Sequence, residues 1–145
     1  MSTSQRMIVV AVVLTAWLSA WPELSAAASD APKKGGPSHV APISGTNLMR
    51  VTVTKKAAER LDIKTAPVVA DATGIAVPYA ALLYDVKGKT WVYTNPEPLN
   101  YVRHPVEVTS IKGDRALLKQ GPPAGTMVVV VGASELYGTE LGVGH

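Results

Sequence analysis

Ala81-Leu82-Leu83-Tyr84 and Thr90-Trp91-Val92-Tyr93-Thr94 flank the segment Asp85-Val86-Lys87-Gly88-Lys89. Two short β-branched and aromatic runs around a Gly-bearing gap signal a hairpin, because Gly supplies the positive φ that a tight turn needs. In the second run Trp91 and Tyr93 fall on one strand face and Val92 on the other. The same grammar continues toward the C-terminus. Asn95-Pro96-Glu97-Pro98 reads as a loop, Tyr101 to Val108 alternates, Lys112-Gly113-Asp114 turns, and Arg115 to Lys119 is a short strand. Gly121-Pro122-Pro123-Ala124-Gly125 is a rigid turn into Met127 to Val131, the most apolar run of the domain.

Upstream, Gly74 to Val77 precedes Pro78, whose missing N–H suits a strand start or edge. Ile63 to Val69 reads as one strand. Met49, Val51 and Val53 alternate with Arg50 and Thr52, the period of a half-buried strand. Thr54 is placed to cap a short helix, Lys55 to Leu61, with Ala57, Ala58 and Leu61 on one face. Asp62 marks its end, since Asp tolerates a left-handed backbone better than most residues. Short strands at even spacing predict a mainly β fold: a small antiparallel barrel or roll with one short N-terminal helix. Phe is absent, so Val, Leu, Ile and Tyr must fill the core.

The chain has 145 residues, enough for one domain of this kind. Its start has another character. Arg6 precedes an apolar run from Met7 to Trp21, Pro22 ends it, and Ala26-Ala27-Ala28 offers the small residues a signal peptidase accepts. The run is shorter than the ~20 residues of a spanning helix, so residues 1–28 read as a signal peptide, with an uncleaved anchor as the alternative. The expected location is therefore extracytoplasmic or periplasmic, with membrane contact only if that segment is retained. Residues 29–46 carry Pro32, Gly35, Gly36, Pro37, Pro42 and Gly45 and read as a linker, because they hold too little apolar surface to offset ordering. The β domain is expected over 47–137 and a Gly-rich flexible tail over 138–145.

Charge and chemistry exclude several classes. Fourteen basic and 11 acidic residues leave +3, and residues 1–28 hold one of each, so the difference survives cleavage. No run of like charge exceeds a Lys pair, which argues against nucleic acid. With no Cys there is no disulfide and no thiolate site. No Gly-x-Ser-x-Gly elbow occurs. Glu135 and Glu140 are the closest carboxylate pairing, placed in a tail unable to preorganise an acid and a base. The expectation is a non-enzymatic chain without a cofactor.

The strands also arrive in a patterned order: Val77-Pro78-Tyr79-Ala80-Ala81-Leu82, then Trp91-Val92-Tyr93, then Arg103-His104-Pro105-Val106-Glu107-Val108. Gly121 to Val129 and Gly132-Ala133-Ser134-Glu135-Leu136 complete it. Together these resemble the C-terminal end of periplasmic adaptor subunits (membrane fusion proteins) of RND-type efflux pumps, especially the heavy-metal branch. Val53 to Thr65 resembles the segment that opens those adaptors. The shared order runs over roughly 90 residues, and order gives individually short motifs their weight. The family usually has Gly where this chain has Asp62 and Leu where it has Pro122. The resemblance implies a permuted SH3-like, membrane-proximal domain. It also implies a partner in the envelope, an RND pump or its adaptor. Between the two segments the family carries a lipoyl-like module and a long helical hairpin. Here Val69-Ala70-Asp71-Ala72-Thr73-Gly74 joins them directly, and no heptad run is present to build the hairpin.

Two site expectations follow. The exposed part of the set Tyr79, Tyr84, Trp91, Tyr93 and Tyr101, with Arg103 as the nearest cation, is the candidate partner surface, since Tyr, Trp and Arg dominate interface hot spots. At least half of that set must be core in a small β domain. The second expectation, tied to the heavy-metal branch, is a periplasmic carrier or sensor for Cu, Ag or Zn. Its candidate ligands are His39, His104, His145 and Met49, imidazole and thioether groups of the kind soft metals favour. They are scattered in sequence, and Met49 and Met127 are expected to pack in the core.

Overall fold

The computed structural model describes residues 36–143. The expected signal segment, residues 29–35 of the expected linker, and His145 lie outside the described residues. Within them the mainly β expectation holds, as two antiparallel sheets joined by the chain at sharp corners. The first sheet runs β1 (Ser38–Pro42), β2 (Met49–Val53), β8 (Asn100–Pro105), β7 (Thr90–Glu97), β11 (Met127–Val131) and β3 (Lys64–Pro67), with β6 (Leu83–Tyr84) also paired to β7. The second runs β4 (Val69–Asp71), β5 (Gly74–Pro78), β10 (Arg115–Gln120) and β9 (Glu107–Lys112). No pairing joins β1 to β3 or β4 to β9, so the sheets form a roll rather than a closed barrel.

Layering follows from which residues lack a solvent-facing side. Val92 and Tyr93 are successive on β7, point to opposite faces, and are both 0% exposed. Val128 and Val129 repeat this on β11. The first sheet is therefore covered on both sides at β7 and β11. One side holds Val51, Val53, Leu83, Tyr93, Tyr101 and Val129, packed with Ala57, Ala133 and Leu136 of two helices, α1 (Lys55–Arg60) and α2 (Ala133–Glu140). The other holds Val92 and Val128 against Val77, Ala116 and Leu118 of the second sheet.

Two runs that look continuous in sequence are each divided between the sheets. Ile63 to Val69 becomes β3 and β4, with Val68 at the corner, and Tyr101 to Val108 becomes β8 and β9, with Val106 at the corner. Both corner side chains are buried in the core between the sheets. A chain that switches sheets must still pair its backbone groups. Val68 N–H donates to Thr126 O at 2.8 Å while Val68 O accepts from Gly125 N–H at 2.8 Å, and Val106 N–H donates to Thr90 O at 3.0 Å. Each run carries β-branched and apolar residues through its corner, which is why it reads as a single strand.

The short helix α1 forms as its sequence dictates. The Thr54 hydroxyl accepts from Ala57 N–H at 3.2 Å, Ala57 is buried, and Asp62 takes φ 49° just past the end. Three expectations are corrected. Residues 38–42, read as linker, are the edge strand β1, registered along β2 from Ser38↔Val53 to Pro42↔Met49. Residues 95–97, read as loop, extend β7 with a bulge before Glu97↔Asn100, and Pro96 sits at that irregularity, where a missing N–H is tolerated. The third correction is at the C-terminus. The tail expected to be flexible from residue 138 is helical to Glu140, and Leu136 is 0% exposed.

Candidate functional site

The hairpin of β6 and β7 pairs Leu83 with Trp91 and Tyr84 with Thr90. Asp85 organises its tip. Oδ1 accepts from Lys87 N–H at 2.8 Å and Lys89 N–H at 2.9 Å, and Oδ2 accepts from the Trp91 indole N–H at 3.0 Å. Partial desolvation pushes the Asp85 pKa up, but these hydrogen bonds and the Lys89 charge outweigh it and hold the pKa below the ordinary carboxylate value. The fixed indole then serves as a platform. Arg103, paired with Tyr93 across β7 and β8, lays its guanidinium 4.6 Å from the Trp91 ring centroid and 5.2 Å from that of Tyr137 on α2.

Between those rings the guanidinium meets Glu140. Arg103 Nε donates to Glu140 Oε1 and Oε2 at 3.0 and 2.9 Å, and Nη2 donates to Oε1 at 2.7 Å. The Tyr93 hydroxyl donates to Oε2 at 2.5 Å. Burial, and then the hydrogen bond to Glu140 and its charge, raise the Tyr93 pKa far above the usual phenol value against the pull of Arg103. The chain Asp85–Trp91–Arg103–Glu140–Tyr93 thus ties the hairpin tip to the C-terminal helix. Among the described residues no buried side-chain polar atom lacks a partner.

This geometry redistributes the expected partner residues. Tyr79 and Tyr84 are exposed, at 47% and 53%, and remain available for contact. Tyr93 and Tyr101 are core at 0% and 4%, a correction to their place in the partner set. Burial also raises the Tyr101 pKa. Trp91 and Arg103 are half-buried and face each other. Val86, at 94% exposure on the hairpin tip, is a surface residue the expected set did not include. Glu140 falls in the stretch the sequence presents as a Gly-rich tail. Yet Ala133, Leu136, Tyr137 and Glu140 stand at i, i+3, i+4 and i+7, the spacing of one helical face, and that signal was hidden by the glycines around it.

The expected metal ligands are not brought together. His39 is level with Thr52, and Thr52 with Asn100. His104 lies four residues further along β8, ~13 Å away at ~3.3 Å per strand residue. Met49 falls on the other face of the sheet, that of Val51, and Met127 is exposed at 36%, not packed in the core as expected. The His104 Nδ1 instead lies 2.8 Å from the Pro105 carbonyl oxygen. Among the described residues no group of three His, Cys, Asp or Glu side chains is placed to hold a metal ion, and no helix is long and apolar enough to cross a membrane.

Fold and cluster together define a two-sheet β roll with a helix clasped onto it by a buried, aromatic-flanked ion pair. No protein-family model, no curated protein and no solved structure matches this chain.

Proposed function

We propose that this chain is an exported, non-enzymatic interaction module, built like the membrane-proximal domain of an RND-type periplasmic adaptor without the parts that span the envelope. One observation carries the reading. The segment before Ala72 and the segment after Thr73 interleave: β2 pairs with β8 and β3 with β11, while a two-residue turn joins them between Asp71 and Gly74. A domain assembled from two distant chain segments is what an adaptor makes around its long insertion, and here that insertion is replaced by the turn. The exposed Tyr79 and Tyr84 are its contact residues, with an RND pump or its adaptor as the partner class.

The test is site-specific photo-cross-linking in the envelope, using the full chain with a photoreactive residue at position 79 or 84 and a control at the exposed position 109. Specific adducts from 79 or 84 with an inner-membrane transporter or its adaptor are the expected result. Adducts absent at both positions, or equal to those at 109, would remove this surface and with it the reading.

A further inference from the structure

We infer that α2 is a clamp that opens as one unit about Gly132 and is held shut chiefly by Arg103. The helix has few means of its own to persist. It lacks a side-chain N-cap, has no basic residue in its last turn, carries Gly138 in its interior and ends in Glu140, whose charge opposes the helix dipole. Its buried apolar residues are Ala133 and Leu136, and the Glu140 side chain is covered through its pair with Arg103. Isolated helices of this length do not hold in water, so its helicity is supplied from outside.

Two further features make the opening local. Gly132 sits at φ 92°, and a Cβ built there would lie 2.9 Å from Ile63 Cγ1, so the joint between β11 and α2 is a left-handed Gly pressed against Ile63. One flank of α2 borders a cavity of about 360 Å³, lined by Pro37, Ala57, Leu61, Glu135 and Thr139 among others. With a cavity on that flank and few buried side chains, the fork from Arg103 to Glu140 and the stack on Tyr137 are the attachment that closes the far end. Swinging α2 outward uncovers the apolar face beneath Leu136, which includes Val53, Tyr93 and Val129.

Hydrogen exchange of the full chain, read amide by amide, tests this. In the unmodified protein the Leu136 and Leu141 amides, bonded to Gly132 O and Tyr137 O, should exchange through a cheaper opening than those of Val92 and Val129. Arg103→Lys keeps the charge but loses the fork and the stacking. Glu140→Gln makes the change on α2 and leaves the sheet sequence untouched. Each should speed α2 exchange by about tenfold or more, the scale of a lost charge-assisted hydrogen bond, with Val92 and Val129 still exchanging through a costlier opening than α2. Equal protection of α2 and the core strands in the unmodified protein would overturn the clamp. So would α2 exchange that is unchanged in both variants, or that becomes equal to that of Val92 and Val129 in both.

Discussion

Arg103 on β8 and Glu140 at the end of α2 stand 37 residues apart, joined by three contacts of 2.7 to 3.0 Å at side-chain exposures of 15% and 3%. Removing one member leaves the other charge uncompensated in a site that has lost most of its water. Arg103→Met should therefore cost about 3 kcal/mol, the lower end of the range for breaking a buried pair because Arg103 keeps some solvent. Arg103→Met with Glu140→Leu should recover at least about 1 kcal/mol of that loss, since no charge is then left buried. Urea unfolding midpoints of the two variants decide it, and a double variant no better than the single would contradict the account.

The other hydrogen bond to Glu140 sets an alkaline limit. Burial raises the Tyr93 pKa in the fold, so its stabilising contribution is complete below the ordinary phenol value of 10.0 and is lost as pH climbs above it. Ultraviolet titration should show Tyr93 ionising only as the protein unfolds. Tyr93→Phe should cost about 1 kcal/mol at neutral pH and flatten the decline above pH 10. Tyr93 ionising while the protein is still folded would refute this.

Much of this was legible from local rules. The Thr54 cap, the turn at Asp62 and the β6–β7 hairpin each rest on contacts within a few residues, and each formed as read, while the alternation of Val51 and Val53 shows in the sequence itself. What stayed hidden depends on distant partners. The corners at Val68 and Val106 look like ordinary strand residues because both sheets present an apolar face to them. β1 sits among prolines and glycines and exists because β2 offers it a free edge. Glu140 became the centre of the cluster only through Arg103, and nothing near it in sequence points to β8.

Asp85 sets an acid limit. Its pKa is depressed on balance, so its contribution is present above the ordinary carboxylate value of 3.8 and is lost as pH falls below it through the folded value. Protonation weakens the acceptor for the Trp91 indole N–H before the sheets come apart. The indole N–H resonance of Trp91 should therefore shift with an apparent pKa under 3.8, and Asp85→Asn should abolish that titration. A shift that persists in Asp85→Asn would assign it to another group.

Metal binding by the described residues should be weak. His39, His104 and Met49 are divided by distance and by sheet face, so no pair forms a chelate. Titration of the purified chain with Ag(I) or Zn(II) should give no site tighter than about micromolar that is lost on His104→Ala or Met49→Leu. A tight site removed by either change would restore the carrier reading.

The turn between Asp71 and Gly74 is where the proposed relation to adaptors is most directly testable. The Asp71 carboxylate accepts from the Thr73 N–H at 3.0 Å and its hydroxyl at 2.8 Å, closing a two-residue hairpin. Gly74 must stay glycine: its φ is 145°, and a Cβ there would meet Leu118 O at 2.8 Å, so Gly74→Ala should cost about 2 kcal/mol or more. Lengthening the turn is a different matter. The tip residues Ala72 and Thr73 are exposed, and a Gly/Ser insert of about eight residues between them adds only loop-closure entropy, roughly 1.4 kcal/mol for a loop grown from two residues to ten. The same insert after Val68 would break both backbone bonds at a buried corner and should abolish folding. Circular dichroism and urea melts of the two insertion variants compare them. If the insert at the turn unfolds the domain as fully as the insert at the corner, the two halves do not assemble independently of their connection, and the reading of this turn as the place of a removed insertion fails.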